Sequence, residues 1–286
     1  DGSKYALDDI SITIPEGEIF GFLGPNGSGK TTTVRLLNGI LNPTSGKIRI
    51  FGKSPDKDLK EIHSICGVMT ETAELYENLT GLENLEFFGN MYELPKGKIK
   101  ERCEYLLKIL DLYEAKDKKV KTYSTGMKKK LSFARALINE PKMLFLDEPT
   151  SGLDPQASLD VIKMIKDMCK KSGVTVFLCT HQLKYAEDIC TYYGFIHNGK
   201  LLGCGTFNEL LKKQGESICL EVRGKNIQND KNSIFRFPIK DEDEAADLIR
   251  DIILKNGRVY EAKIVHWSLE DLYFSFERRS KNEGIE

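Results

Sequence analysis

The sequence predicts an α/β fold: a buried parallel sheet, a helical stretch inserted into it, and a small α+β appendage at the C-terminus. Three observations carry this. The apolar runs "EIFGFL", "KMLFL" and "VTVFLC" are strand-length and end in glycine, acidic, hydroxyl or imidazole residues. That is the pattern of strands buried on both faces whose C-terminal ends meet a ligand. "LTGLENLEFFGNMYEL" and "KGKIKERCEYLLKILDLYEA" are patterned as amphipathic helices. "KKQGES", Lys212 to Ser217, has linker composition and marks a boundary.

Composition narrows the class. The 286 residues are 40% hydrophobic and 30% charged, as in a soluble globular protein, with room for one large domain and a smaller one. A formal charge of -1 gives no general attraction to nucleic acid or acidic membranes. Seven cysteines without a CxxC pair fit a reduced cytosolic protein rather than a disulfide framework. No apolar run approaches the roughly 18–20 residues that span a bilayer, and no signal peptide is visible. The chain opens on Asp1, so a missing natural N-terminus is expected.

The first element is "EIFGFLGPNGSGKTTTVRLL", a strand, a glycine-rich turn and a helix. Gly24 to Thr31 fits G-x-x-x-x-G-K-[ST], the P-loop. Gly24, Gly27 and Gly29 let the backbone curl so that its N–H groups point at phosphate oxygens, with Pro25, Asn26, Ser28 and Thr32 completing the cradle. Lys30 brings a compact positive charge to the β- and γ-phosphates, and the Thr31 hydroxyl can ligate Mg²⁺. This implies a nucleoside triphosphate site.

Next come "YSTGMKKKLSFARAL" and "KMLFLDEPTSGLDP". In the first, Ser124 reads as a helix N-cap, and Met127, Leu131, Ala134 and Ile138 recur at helical spacing to bury one face. Its exposed N-terminus is a place to hold an anion, a second one in a chain that already has a phosphate site. In the second, a doubly buried strand ends in Asp147 and Glu148: Asp147 would hold Mg²⁺ through water, and Glu148 would polarise an attacking water.

These motifs resemble, in order and spacing, the ABC-type ATPases. The resemblance covers Ala6 to about Leu211 and rests on the P-loop, "STGM", "LFLDE", "SGLD" and "VTVFLCTHQ". It implies a P-loop NTPase core with a helical subdomain at about 72–138 within an ATPase domain at 1–211; the linker composition at Lys212–Ser217 sets off a small C-terminal α+β domain at 216–286. His181 takes the H-loop position, implying a hydrogen bond to the γ-phosphate. In this family two ATPase domains close head to tail, each ATP lying between one P-loop and the other signature helix. Ser124 and Gly126 would therefore cap a partner's γ-phosphate, and Asp154 would reach across the same interface.

Three features depart from the family pattern. Glu71, in "CGVMTET", stands where Gln is usual. It could ligate Mg²⁺, yet adds negative charge near Asp147 and Glu148, which would raise a carboxyl pKa. Glu here resembles the exporters linked to self-protection against bacitracin-type and lantibiotic peptides; drift without functional meaning is the other reading. "YSTGM" keeps Ser124 and Gly126 but places Thr125 and Met127 where Gly and Gln are usual, and the β-branch of Thr125 narrows the loop's options. Tyr5 lies immediately before the expected strand "ALDDISI", closer than the family's adenine-stacking aromatic, which is expected ahead of Asp1; Tyr5 is a candidate for that role, with packing an equal reading.

The remaining segments are less specific. "ELYENLTGLENL" would meet coupling helices of a membrane subunit, or is ordinary core. Seven lysines between Lys116 and Lys130 form a solvated basic face or face anionic groups. The C-terminal part reads as strands "ICLEVRG" and "SIFRFPI", a helix ending at Gly257, a strand "RVYEAKIVHW" and a helix capped by Ser268 with Asp271 at its third position. "SLEDLYFSFE" resembles the ending of ATPases that drive two-component exporters. The expected protein is the ATP- and Mg²⁺-binding ATPase subunit of a membrane exporter, peripheral on the cytoplasmic face of the cell membrane. Its partners would be a separate integral membrane permease and a second ATPase subunit, a homodimer being the simplest case, with no nucleic acid. The alternatives are a soluble ATPase acting on ribosomes or DNA, or a nucleotide-sensing regulator without turnover.

Overall fold

The computed structural model describes residues 5–72, 75–214, 218–227 and 234–282. The chain divides into two compact units, Asp1–Leu201 and Leu202–Glu286. In chain order the first contains β1 (Ile19–Leu23), α1 (Lys30–Leu37), α2 (Pro55–Ile65), β2 (Cys66–Met69), α3 (Gly81–Met91), α4 (Lys96–Ile109), α5 (Thr125–Ala136), β3 (Met143–Asp147), α6 (Pro155–Ser172), β4 (Thr175–Thr180), α7 (Leu183–Ile189) and β5 (Tyr192–His197). The boundary between the units falls inside β6 (Lys200–Gly205).

Strand order in the main sheet is β2-β3-β4-β1-β5-β6, and the pairs β2/β3, β3/β4, β4/β1 and β1/β5 are parallel. All residues of β1 and β4 are buried, as the unbroken apolar runs require of strands covered on both faces. Phe177 packs between Phe20, Phe22 and Phe145, ring centroids 5.2–5.9 Å apart. Parallel pairing places the C-terminal ends of β1, β2, β3 and β4 along one edge. Register sets Leu23 beside Thr180 and Asp147 beside Cys179.

The two predicted amphipathic stretches form α3 and α4, with Leu85, Ile99, Leu106 and Leu107 buried. A capping box starts α3: Glu83 N–H donates to the Thr80 hydroxyl, and Thr80 N–H donates to the Glu83 carboxylate. Buried Asn84 accepts from Tyr76 N–H and donates to Tyr76 O and Thr80 O, tying the preceding loop to the helix. Of the suggested coupling segment, Glu74 lies outside the described residues; the rest presents exposed Tyr76 in edge contact with Phe87. In the lysine-rich stretch, Lys116 lies over the Tyr113 ring, Lys128 pairs with Glu77 and Lys130 with Asp111.

"ALDDISI" differs from expectation. Ile10, Ile12 and Ile14 alternate with exposed residues, yet no strand forms over residues 5–15. The alternation is present, but among the described residues no segment pairs with it as a ladder; Asp8 N–H donates to Gly199 O at 2.8 Å.

The second unit continues with α8 (Phe207–Gln214), β7 (Ile218–Lys225), β8 (Ile234–Ile239), α9 (Glu242–Leu254), β9 (Arg258–His266) and α10 (Leu269–Asn282). Helix α8 packs on α10, so the division falls upstream of the 211/216 boundary that composition suggests. Antiparallel strands in the order β8-β7-β9 put Leu220 and Val222 with Ile239, Ala245 and Ile252 in one core. On the other face Glu221 accepts from Arg236 at 3.0 Å and pairs with Lys263 at 2.8 Å. Asn256, not Gly257, takes the left-handed turn after α9, and Gly257 N–H closes on Ile252 O. Ser268 caps α10, exchanging hydrogen bonds with Asp271 as the sequence predicts.

Candidate functional site

The P-loop leaves β1 and enters α1. Gly27 and Gly29 have φ of 80° and 111°, angles open to glycine, and these turns make the amide-lined cradle that an anion needs. Pro25 and Asn26 are exposed at the loop's crest, whereas Gly24 and Ser28 are buried and Thr32 is half-buried. Gly199 N–H, in the β5–β6 turn, donates to Ser28 O at 3.0 Å and braces the loop from behind. Lys30 is buried, and its Nζ donates to Gly24 O at 2.7 Å and Pro25 O at 3.0 Å.

Opposite the loop, Thr31 Oγ1 donates to Asp147 Oδ2 at 3.2 Å, joining the start of α1 and the end of β3 across 116 residues of sequence. Hydroxyl plus carboxylate is a hard oxygen pair, which suits Mg²⁺ sharing its shell with phosphate and water. Among the described residues no three His, Cys, Asp or Glu side chains converge as an all-protein metal cage. Burial pushes the Asp147 carboxyl above its usual value; the charges of Glu148 and Glu71 add to this, and the Thr31 hydroxyl and Lys30 oppose it.

Glu148 is buried and held on every side. Its φ of 47° is left-handed, a conformation that costs a non-glycine residue roughly 1–2 kcal/mol. Oε2 accepts from Thr180 Oγ1 at 2.9 Å; Oε1 accepts from His181 N–H at 2.9 Å and lies 2.6 Å from His181 Nδ1. The Thr180 hydroxyl also accepts from Gln182 N–H at 3.0 Å, so both its donor and acceptor sides are committed. His181 remains half-exposed at the rim.

Glu71 follows β2 and is exposed, and its carbonyl accepts from Lys129 Nζ at 2.5 Å. The same Nζ reaches Glu148 O at 3.3 Å. Burial lowers the Lys129 pKa, while the charges of Glu71, Glu148 and Asp147 resist. Sequence reasoning passed over Lys129 and the Thr180 hydroxyl. Lys129 is hidden in a run of lysines, although it heads a buried stripe with Ser132, Phe133 and Ala136. Thr180 ends a wholly buried strand beside His181, a position where a hydroxyl needs a partner.

The second expected anion surface is the start of α5. Ser124 caps it, its Oγ accepting from Met127 N–H at 3.2 Å, and Thr125 enters as an ordinary first helical residue, so its β-branch causes no distortion. Leu131, Ala134 and Ile138 are fully buried and Met127 is half-buried, giving the predicted face. A Cβ on Gly126 would meet nothing closer than Leu153 Cδ2 at 3.8 Å, so nothing within the chain requires glycine there. Exposed Asp154 caps α6, Oδ1 accepting from Ala157 N–H at 2.9 Å. Tyr5 is exposed.

A glycine-rich phosphate loop, a Thr–Asp pair and a caged glutamate at adjacent parallel strand ends define a P-loop nucleoside triphosphatase. The sequence model of the ABC transporter family matches residues 7–151. The ABC transporter ATP-binding protein YhcH of Bacillus subtilis is 32% identical over 98% of this chain and 93% of its own length. The bacitracin transport ATP-binding protein BcrA of Bacillus licheniformis is 38% identical over 79% of this chain and 72% of its own. Among solved structures, cbiO1 from Clostridium perfringens, part of the ABC transporter complex cbiONQ, matches with a TM-score of 0.66 and 31% identity, covering 73% of this chain and 85% of its own. The chain belongs to the ABC transporter family: it is an ATP-binding, ATP-hydrolysing subunit similar to bacitracin and drug-resistance exporter ATPases. Among the described residues no helix is long and apolar enough to cross a membrane.

Proposed function

We propose that this chain powers an exporter that clears antimicrobial peptides or drugs, by closing on ATP with a second ATPase subunit and opening after hydrolysis. The observation that carries the ATPase chemistry is the meeting of Lys30, Thr31, Asp147, Glu148 and His181 at neighbouring strand ends. Export is supported by similarity to proteins described as bacitracin transport, linearmycin resistance and daunorubicin resistance ATP-binding proteins, and by Glu71.

In this reading Lys30 leaves its two loop carbonyls for the β- and γ-phosphates, and the P-loop amides hold the remaining oxygens. Thr31 and Asp147 would hold Mg²⁺, with Glu71 within electrostatic reach of that carboxylate. A bound Mg²⁺ supplies charge neutralisation on the phosphates. Glu148 orients and polarises the attacking water, and His181 fixes that carboxylate while facing the γ-phosphate. Ser124, Gly126 and Asp154 serve the nucleotide of a head-to-tail partner, a second copy being the simplest one. A separate membrane permease receives the motion, and the subunit works on the inner face of the cell membrane. The ATPase domain would correspond to the first compact unit, Asp1–Leu201, and the appendage to the second, Leu202–Glu286.

The test is Mg²⁺-dependent ATP hydrolysis per mole of protein as concentration rises, with Glu148→Gln as control. Specific activity is expected to climb with concentration and to collapse in the control. Activity that is unaffected by Glu148→Gln overturns the site. Co-purification with ribosomes or DNA, and not with an integral membrane chain, overturns transport.

A further inference from the structure

We propose that Lys129 is a positioning residue for hydrolysis: it fixes the backbone on which Glu148 sits and ties it to the Glu71 loop of the same chain. The inference rests on the ATPase reading of the site and adds a residue that reading leaves unused.

The geometry is specific. Lys129 lies on α5, five residues past the cap Ser124, and is 7% exposed. Its Nζ donates to Glu71 O and Glu148 O, carbonyls just beyond the C-terminal ends of the adjacent parallel strands β2 and β3. One ammonium, with three donors and no acceptor, thus bridges two neighbouring loops that no ladder bond joins beyond Met69 and Leu146.

What this holds matters for chemistry. Glu148 has its N–H on Cys179 O, its carboxylate on Thr180 and His181, and its carbonyl on Lys129 and Ser151 N–H. Because φ is left-handed, the residue stays where it is only while its surroundings over-determine it. Removing the Lys129 contact leaves the carbonyl with Ser151 N–H as its one remaining donor and cuts its tie to the Glu71 loop, which loosens the peptide plane that aims the side chain. A small misplacement of a general base costs rate far more than it costs substrate binding.

The same contact joins the two anion surfaces. A Cβ on Gly152 would lie 3.7 Å from Thr125 Cγ2, so the first turn of α5 is next to the turn that Glu148 O and Ser151 N–H begin. Lys129 is the charged side chain of α5 that reaches from this region to the carboxylate's own backbone.

The experiment compares Lys129→Met, Lys129→Arg, Glu148→Gln and the double variant Lys129→Met/Glu148→Gln in the full chain. It measures kcat, ATP affinity with a fluorescent analogue, and Tm. Lys129→Met is expected to lower kcat by about tenfold or more while ATP affinity stays within about twofold. Lys129→Arg should recover part of kcat, and the double variant should be no slower than Glu148→Gln alone, because Lys129 acts through Glu148. Should Lys129→Met fail to fold, Lys129→Gln, which keeps a donor, takes its place. A full kcat in Lys129→Met overturns the proposal, as does a parallel fall of affinity, Tm and kcat. Losses that add in the double variant overturn it too. If Glu148→Gln itself leaves hydrolysis intact, the ATPase assignment of the site fails first, an outcome separate from the loss of Lys129 alone.

Discussion

His181 Nδ1 lies 2.6 Å from Glu148 Oε1, while the backbone N–H of the same histidine donates to the same oxygen at 2.9 Å. One residue therefore grips one carboxylate oxygen twice. Replacing the imidazole with Ala leaves the backbone donor in place, so Glu148 keeps its place but loses its orienting partner. Steady-state kinetics of His181→Ala should show kcat down by roughly 10²-fold, with KM for ATP changed much less.

Thr180→Val tests the other oxygen. Valine preserves the shape of a buried β-strand end but leaves Glu148 Oε2 and Gln182 N–H without the hydroxyl. A hydrogen bond to a charged group contributes about 1.5–3 kcal/mol, so chemical denaturation should show a loss of that order together with reduced turnover. Unchanged stability would mean that Thr180 is not what holds Glu148.

Gly126→Ala should separate stability from activity. The added methyl would sit 3.8 Å from Leu153 and 3.9 Å from the Ser124 oxygen, which is ordinary contact, and glycine within a helix costs roughly 0.5–1 kcal/mol relative to alanine. Thermal unfolding should therefore move to equal or higher temperature, while ATP hydrolysis falls because the methyl occupies the approach to the bare helix start. Activity retained at wild-type level would remove Gly126 from the site.

Thr31→Ala bears on the metal. It deletes the hydroxyl that contacts Asp147 at 3.2 Å and leaves Lys30 on its loop carbonyls. Hydrolysis should demand a higher Mg²⁺ concentration, whereas binding of metal-free nucleotide should stay close to that of the unaltered chain. A Mg²⁺ titration of the initial rate decides this.

The C-terminal sheet should be acid-sensitive. Lys263 and Arg236 hold the Glu221 carboxyl below its usual value, so its contribution is present above the unfolded-state pKa and is lost as pH falls through the lower folded value. Trp267, the chain's single tryptophan, lies between β9 and α10 and reports on this unit. Its fluorescence should mark an acid transition below pH of about 4.5 that becomes shallower in Glu221→Gln.

The sheet, the P-loop, the Ser124 cap and the Ser268–Asp271 cap were legible because each depends on short-range signals: an apolar run, a glycine spacing, a hydroxyl three residues before its amide. "ALDDISI" was misread because alternation supplies a strand's faces but not its neighbour, and pairing is non-local. Lys129 was invisible for a related reason. A lysine in "MKKK" looks like solvated charge until the fold sets the carbonyls of residues 71 and 148 around it. Composition marks Lys212–Ser217 as a break, of which 215–217 lie outside the described residues; the packing of α8 on α10, which joins α8 to the C-terminal unit, is a tertiary contact that composition does not carry.

The placing of β1 between β4 and β5 has a consequence for biosynthesis. Ile19 and Phe20 pair with Val176 and Tyr192, so the strand that carries the phosphate loop gains its flanks only when the far end of the sheet has been made. At roughly 5–20 residues per second the nascent strand waits on the order of ten seconds with both edges open. Its all-apolar sequence is then at its most prone to aggregate, and crowding of ribosomes or loss of chaperone capacity should deplete this chain before it depletes proteins whose strands pair with sequence neighbours.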